Sequence, residues 1–196
     1  MIAQLHGKLL DKSPTRVLLD VHGVGYEVAI PLSTFEKAGR VGEDLTLLTH
    51  LHVREEVLQL FGFATPKEKQ LFQLLLGVNG VGPKLAQSIL SGCEVATFCQ
   101  YIQQNAAAAL TAIPGVGKKT AERLVMELRD RITPLLAETE KTGAAAGMGR
   151  TSEEALMALL SLGYPRANAE KAMRQALAEN GDLPIEDLIK QTLRYL

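Results

Sequence analysis

Two stretches of this chain combine the residue types and spacing needed to grip an anion. Asn79-Gly80-Val81-Gly82-Pro83-Lys84-Leu85-Ala86 is echoed 35 residues later by Pro114-Gly115-Val116-Gly117-Lys118-Lys119-Thr120-Ala121. Gly falls on Gly, Val on Val, Lys84 on Lys119 and Ala on Ala. Glycine can take φ > 0 and lets another backbone approach closely. Where such a turn leads into a helix, the first amides lack partners and the macrodipole is positive, so the turn is a ready cradle for a phosphate. Lys84, Lys118, Lys119 and Arg123 follow the glycines within about two helical turns and add charge beside the same anion.

This is the helix-hairpin-helix pattern, which holds a sugar-phosphate backbone without reading bases. One Gly-Val-Gly turn is as readily an ordinary helix connection. Two copies in register, each followed by basic residues and a small Ala that permits close helix packing, favour the phosphate reading. The expected DNA-binding set is therefore Asn79, Gly80, Val81, Gly82, Lys84, Gly115, Val116, Gly117, Lys118, Lys119, Thr120 and Arg123, with Arg54 as an outlying contact.

The elements that must position these turns fall into blocks. Residues 1–63 alternate like strands over Ile2–Leu10, Arg16–Val21, Tyr26–Ile30, Asp44–Leu51 and Val57–Phe63, with a turn at His22-Gly23-Val24-Gly25 and a short helical connection over Pro31–Ala38. Five short strands suggest a small barrel, ordered like the oligonucleotide-binding (OB) barrel. From Thr65 to about Ala137 the period is helical, with helices expected over Phe98–Gln104, over Ala106–Ile113, and from the second hairpin through Arg131. Residues 138–151 are small and without apolar period, and read as a flexible tether. Beyond it, Ser152–Leu162, Pro165–Glu179 and Pro184–Tyr195 read as a three-helix bundle, with Ser152 and Asp182 near helix starts. Leu156, Leu159, Leu162 and Tyr164 are expected mostly in its core, while a small bundle on a leash suits docking. The fold class is α+β multidomain: barrel over 1–63, tandem hairpins over 64–137, tether, and bundle over 152–196.

Composition agrees with a nucleic-acid binder only once it is divided along the chain. The 196 residues carry a net charge of −1, yet residues 64–131 hold eight Lys or Arg against five Asp or Glu, while both flanks are net acidic. A hydrophobic fraction of 46% supports real cores, and no apolar run approaches a membrane span. The start of the chain lacks a leader-like pattern, so a cytoplasmic protein is expected. Cys93 and Cys99 lack metal-site spacing and read as reduced structural thiols. His6, His22, His50 and His52 form no ligand pattern. Glu55 and Glu56 form an acid pair between the last two strands, most simply solvated loop charges. Beside a phosphate grip they would also repel DNA from one spot.

Three other functions fit the sequence less well. A phosphate-loop NTPase fails in register, because Ala112 stands where the first loop Gly is needed and Lys119 follows Lys118 where Ser or Thr is needed. A base-excision glycosylase offers only Asp130 by type, and leaves the second hairpin and the bundle unexplained. A general duplex-binding module is separated from a branched-DNA binder by competition between four-way and linear DNA.

Over nearly its whole length the chain resembles the RuvA family, the Holliday-junction-binding subunits of the bacterial branch-migration machine. The resemblance is carried by Met1-Ile2, Gly23-Val24-Gly25-Tyr26-Glu27-Val28, Thr49-His50, Val53-Arg54-Glu55, Leu60-Phe61-Gly62-Phe63, both hairpins, and the run on to Glu122-Arg123-Leu124. Glu56 stands where Asp is familiar in the family. The resemblance implies a homotetramer built on OB-fold barrels, as one tetramer or two face-to-face tetramers on a four-way junction, acting in DNA recombination, repair and the SOS response. It implies that Glu55 and Glu56 form an acidic pin near the crossover. It implies a UBA-like carboxyl-terminal domain that docks the RuvB hexameric ATPase around Leu159, Leu162 and Tyr164, with the RuvC resolvase able to join. Neither cofactor, metal, membrane nor catalytic residue is implied.

Overall fold

Alternating apolar side chains close the first third of the chain on itself. The computed structural model describes residues 1–54, 57–133, 135, 148–181 and 183–196. In it, β1 (Gln4–Ser13), β2 (Arg16–Val21), β3 (Val24–Ala29), β4 (Asp44–Arg54) and β5 (Val57–Phe63) form a closed barrel in the order β1-β2-β3-β5-β4. Neighbours are antiparallel except β3 and β5, which set Val28 beside Leu60 and Ala29 beside Phe61 in parallel. Helix α1 (Leu32–Lys37) fills the connection from β3 to β4. β1 and β4 outrun their apolar patterns, to Ser13 past a bulge near Leu9 and to Arg54, because backbone pairing continues beyond the last buried side chain.

Strand β5 joins the barrel to the helices that follow. Leu60 packs inside the barrel with Leu5, Leu9, Val17, Leu19, Val28, Ile30 and Leu47. Its neighbours Phe61 and Phe63 pack instead with the helical core, as the period of two requires. Their rings lie 5.0 and 4.9 Å from Phe72. Barrel and helices thus form one compact unit over Met1–Glu140.

The helical part comprises α2 (Pro66–Leu76), α3 (Pro83–Gly92), α4 (Val95–Gln103), α5 (Ala107–Leu110) and α6 (Lys118–Leu128). Thr65 opens α2 with a capping box: its Oγ1 accepts from Glu68 N at 3.3 Å and its N–H donates to Glu68 Oε2 at 3.0 Å. Glu68 is buried, and it also accepts from Thr34 Oγ1 at 3.3 Å and Lys37 Nζ at 3.4 Å, which ties α2 to α1. Two helices are shorter than their sequence patterns. α5 is a single turn rather than Ala106–Ile113, because Ile113 precedes Pro114 and is disfavoured in helical conformation. α6 ends at Leu128 rather than Arg131, where Arg131 N turns back to Leu128 O at 2.9 Å. Asp130 therefore lies in an exposed turn.

The second compact unit, Lys141–Leu196, contains α7 (Met148–Ser161), α8 (Arg166–Asn180) and α9 (Ile185–Leu193) around Ala155, Met173, Ala176 and Leu188. α7 begins at Met148, inside the stretch read as tether, because a helix nucleated by its packed middle extends at little cost. Residues 138–147 of that tether, and Asp182, lie outside the described residues. Among the described residues, no helix is long and apolar enough to cross a membrane.

Candidate nucleic-acid interface

The two hairpins have the same backbone. Gly80 and Gly115 sit at φ +86° and +87°, the left-handed region that an L side chain occupies only with strain. Gly82 and Gly117 then cap α3 and α6 from extended conformations, with φ/ψ of −92°/174° and −82°/168°. Each turn closes in the same way, Val81 N donating to Val78 O at 3.1 Å and Val116 N to Ile113 O at 3.0 Å. Val81 and Val116 are buried, so these two expected contact residues act as anchors that hold the turns in the core. Ala86 and Ala121 are fully buried and let the helices approach, as their size suggested.

What the turns present is open backbone. Among the described residues, no side-chain hydrogen bond caps the start of α3 or α6. A Cβ placed on Gly82 or Gly117 would meet nothing within 4 Å, so the approach to both helix N-termini is clear. Amides without capping partners at the positive end of a helix dipole attract an anion. Asn79, Gly80, Lys84, Gly115, Lys118 and Lys119 are exposed around them, with Thr120 partly so. The second site is the more basic, since Lys118 and Lys119 occupy the first two positions of α6 where α3 has Pro83 and Lys84.

Each hairpin is held by the other's helix. Arg123 Nη1, on α6, donates to Asn79 O at 2.9 Å, and Ser88 Oγ, on α3, donates to Pro114 O at 2.8 Å. Arg123 Nε also lies 3.9 Å from Glu127. The pair is seated on the barrel through α3. Gln87 Nε2 donates to Ile30 O at 2.6 Å, and Leu32 N donates to Ser91 Oγ at 3.1 Å.

Arg54 ends β4 opposite Val57, so the β4–β5 ladder runs up to the residues on either side of Glu55 and Glu56. His52 and Val53 belong to that ladder rather than to a loop. Glu55, Glu56 and the side chain of Arg54 lie outside the described residues. Val53, Val57 and Leu58 are exposed beside them. His50 and His52 lie near Phe72 and Phe61 respectively, at ring distances of 5.5 and 6.5 Å. Burial, then His52 and Lys69, hold the His50 imidazole below its ordinary pKa. Burial pushes the Cys99 thiol up to about 11, which makes it an inert core group.

In the second unit the expected docking trio divides. Leu159 is fully buried and belongs to the core, whereas Leu162 is 63% and Tyr164 37% exposed, against the expectation that both lie mostly inside. The physical reason is the end of α7: Gly163 at φ +93° reverses the chain and Tyr164 N returns to Leu159 O at 3.2 Å. This Schellman-type stop ends the helical stripe that buries Leu159, and Leu162 and Tyr164 lie beyond the last helical residue.

Comparison with known proteins agrees with this architecture segment by segment. Residues 1–62 match the RuvA N terminal domain, residues 72–130 the SAM-like helix-hairpin-helix tandem, and residues 151–196 the RuvA C-terminal domain. Similar full-length proteins include the Holliday junction branch migration complex subunit RuvA of Solibacter usitatus, 44% identical with 100% of both chains covered. The protein of that name from Syntrophotalea carbinolica is 47% identical over 100% of this chain and 99% of its own. That from Pseudomonas aeruginosa is 43% identical over 99% and 98%. The chain belongs to the RuvA family. Its barrel is the OB domain of that family, followed by the tandem helix-hairpin-helix and carboxyl-terminal domains.

Ser88 and Gln87 escaped the sequence reading, since neither is basic nor glycine. The repeat itself held the signal for Ser88, which stands 35 residues before Arg123.

Proposed function

We propose that this chain is the non-catalytic, junction-holding subunit of a branch-migration complex in the cytoplasm. Four copies, built on their barrels, hold the four arms of a Holliday junction. In each copy the amides at Gly80, Gly82, Gly115 and Gly117 receive backbone phosphates of one arm, and Lys84, Lys118 and Lys119 supply charge beside them. Asn79, Thr120, Arg54 and Arg123 line the same grip. Glu55 and Glu56 form an acidic pin that keeps phosphates from the crossover. Leu162 and Tyr164, exposed beside the buried Leu159, dock the RuvB ATPase, which supplies the motor, and RuvC joins the same junction.

The observation that carries this reading is the pair of uncapped helix N-termini with identical glycine turns and clear approaches. Phosphate contacts suit branch migration because sliding requires a grip indifferent to sequence. The test is titration of the full chain against a four-way junction and a linear duplex of the same sequence at several salt concentrations, with the mass of the complex measured alongside. A tetrameric or octameric complex, junction preference and a steep salt slope are expected. A chain that ignores branched DNA at low salt overturns the proposal.

A further inference from the structure

The 35-residue repeat contains a second correspondence beyond the glycines. Ser88 and Arg123 are equivalent positions, each six residues after the last glycine of its hairpin, and Asn79 and Pro114 are equivalent too. Each side chain reaches across to the other repeat, Arg123 to the carbonyl of Asn79 and Ser88 to the carbonyl of Pro114. The two bonds are thus crossed and reciprocal between the repeats.

Both bonds fall on the carbonyl just before the left-handed glycine. Peptide planarity makes that location consequential: Asn79 C=O and Gly80 N–H belong to one rigid unit and point in opposite directions, as do Pro114 C=O and Gly115 N–H. Holding the carbonyl against the neighbouring helix therefore aims the glycine amide away from it. We propose that Ser88 and Arg123 are positioning residues, a reciprocal latch that orients the two glycine amides and fixes the two hairpins relative to each other. The inference rests on the phosphate-cradle reading above. Two anion sites on one rigid body engage one duplex arm together, so the second contact benefits from a high effective concentration only while the spacing is held. Arg123 in this role acts mainly through Asn79, and Ser88, which is neutral, acts wholly through Pro114.

The salt slope separates positioning from direct contact, because each lost phosphate contact on duplex DNA removes about 0.9 from the slope of log K against log salt. Ser88→Ala is expected to weaken junction binding about fivefold with an unchanged slope, the size of one lost hydrogen bond. Ser88→Thr keeps the hydroxyl and is expected to bind close to the parent. Arg123→Lys keeps the charge, so its slope stays unchanged in either role, but it loses the guanidinium fork and is expected to weaken binding similarly. Wild-type affinity in Ser88→Ala or in Arg123→Lys, or equal weakness of Ser88→Ala and Ser88→Thr, overturns the latch. Amide hydrogen exchange without DNA tests it independently of the parent reading. Ser88→Ala should speed exchange of the hydrogen-bonded Val116 amide and Arg123→Lys that of the Val81 amide, each in the opposite hairpin. Unchanged exchange there overturns the latch even if the chain binds junctions well, whereas a parent chain that binds no junction overturns only the function proposed above.

Discussion

The two hairpins share one backbone and differ in almost everything around it. The first leads into α3, which is bonded to the barrel through Gln87 and Ser91, begins with Pro83 and presents one lysine. The second leads into α6, which begins with Lys118 and Lys119. Repetition therefore keeps the shape of the hairpin, while the side chains differ: the first repeat fixes the pair to the barrel and the second holds more of the positive charge.

The largest expected effect tests that division directly. Lys118→Ala with Lys119→Ala should lower junction affinity about a hundredfold at moderate salt and flatten the salt slope for every sequence alike, while Lys84→Ala alone should cost about tenfold. Equal effects in fluorescence titrations would show that the hairpins share the charge evenly.

The anchoring side is probed by Glu68→Ala. It removes a buried carboxylate that joins α1 to α2 and should destabilise the amino-terminal unit by about 2–3 kcal/mol in chemical denaturation, against no measurable change for the exposed Glu122→Ala.

A smaller difference is expected between the left-handed glycines. Either alanine substitution strains the backbone by about 1–2 kcal/mol. At Gly115 the new Cβ would also stand 3.1 Å from Leu85 Cδ1, closer than the 3.4 Å that would separate it from Arg123 Nη1 at Gly80. Gly115→Ala should therefore lower the melting temperature more than Gly80→Ala, and the reverse order would mean that the Arg123 contact is the stiffer one.

The smallest effect concerns pH and separates the barrel side from the hairpins. His50 Nδ1 is buried with no hydrogen-bond partner among the described residues, and the imidazole pKa is lowered chiefly by burial. The unfolded chain then binds the extra proton first, so stability falls as pH drops below the ordinary value of 6.5 towards the depressed folded one. Above 6.5 both states are neutral and the effect vanishes. Acid-side melting curves of His50→Phe should show less of this loss, and an identical pH dependence in parent and variant would rule His50 out as its source.

The chain's periodicities by themselves separate strands from helices, and the repeated Gly-Val-Gly turns by themselves locate the two hairpins, because both are local consequences of side-chain spacing and of φ > 0 at Gly80 and Gly115. Boundaries were less legible. β4 was extended by pairing with β5, and α5 was cut short by Pro114, each through a neighbour that a local pattern does not register. The exposure of Leu162 and Tyr164 was likewise settled by a chain reversal at Gly163 rather than by their apolar character. Only the tertiary structure decided that Phe61 and Phe63 join the barrel to the helices, that Val81 and Val116 are anchors, and that Ser88 and Arg123 cross between the repeats. The physical reason is range: a glycine turn is specified within a few residues, whereas a crossed bond exists only after packing brings together groups 26 and 44 residues apart.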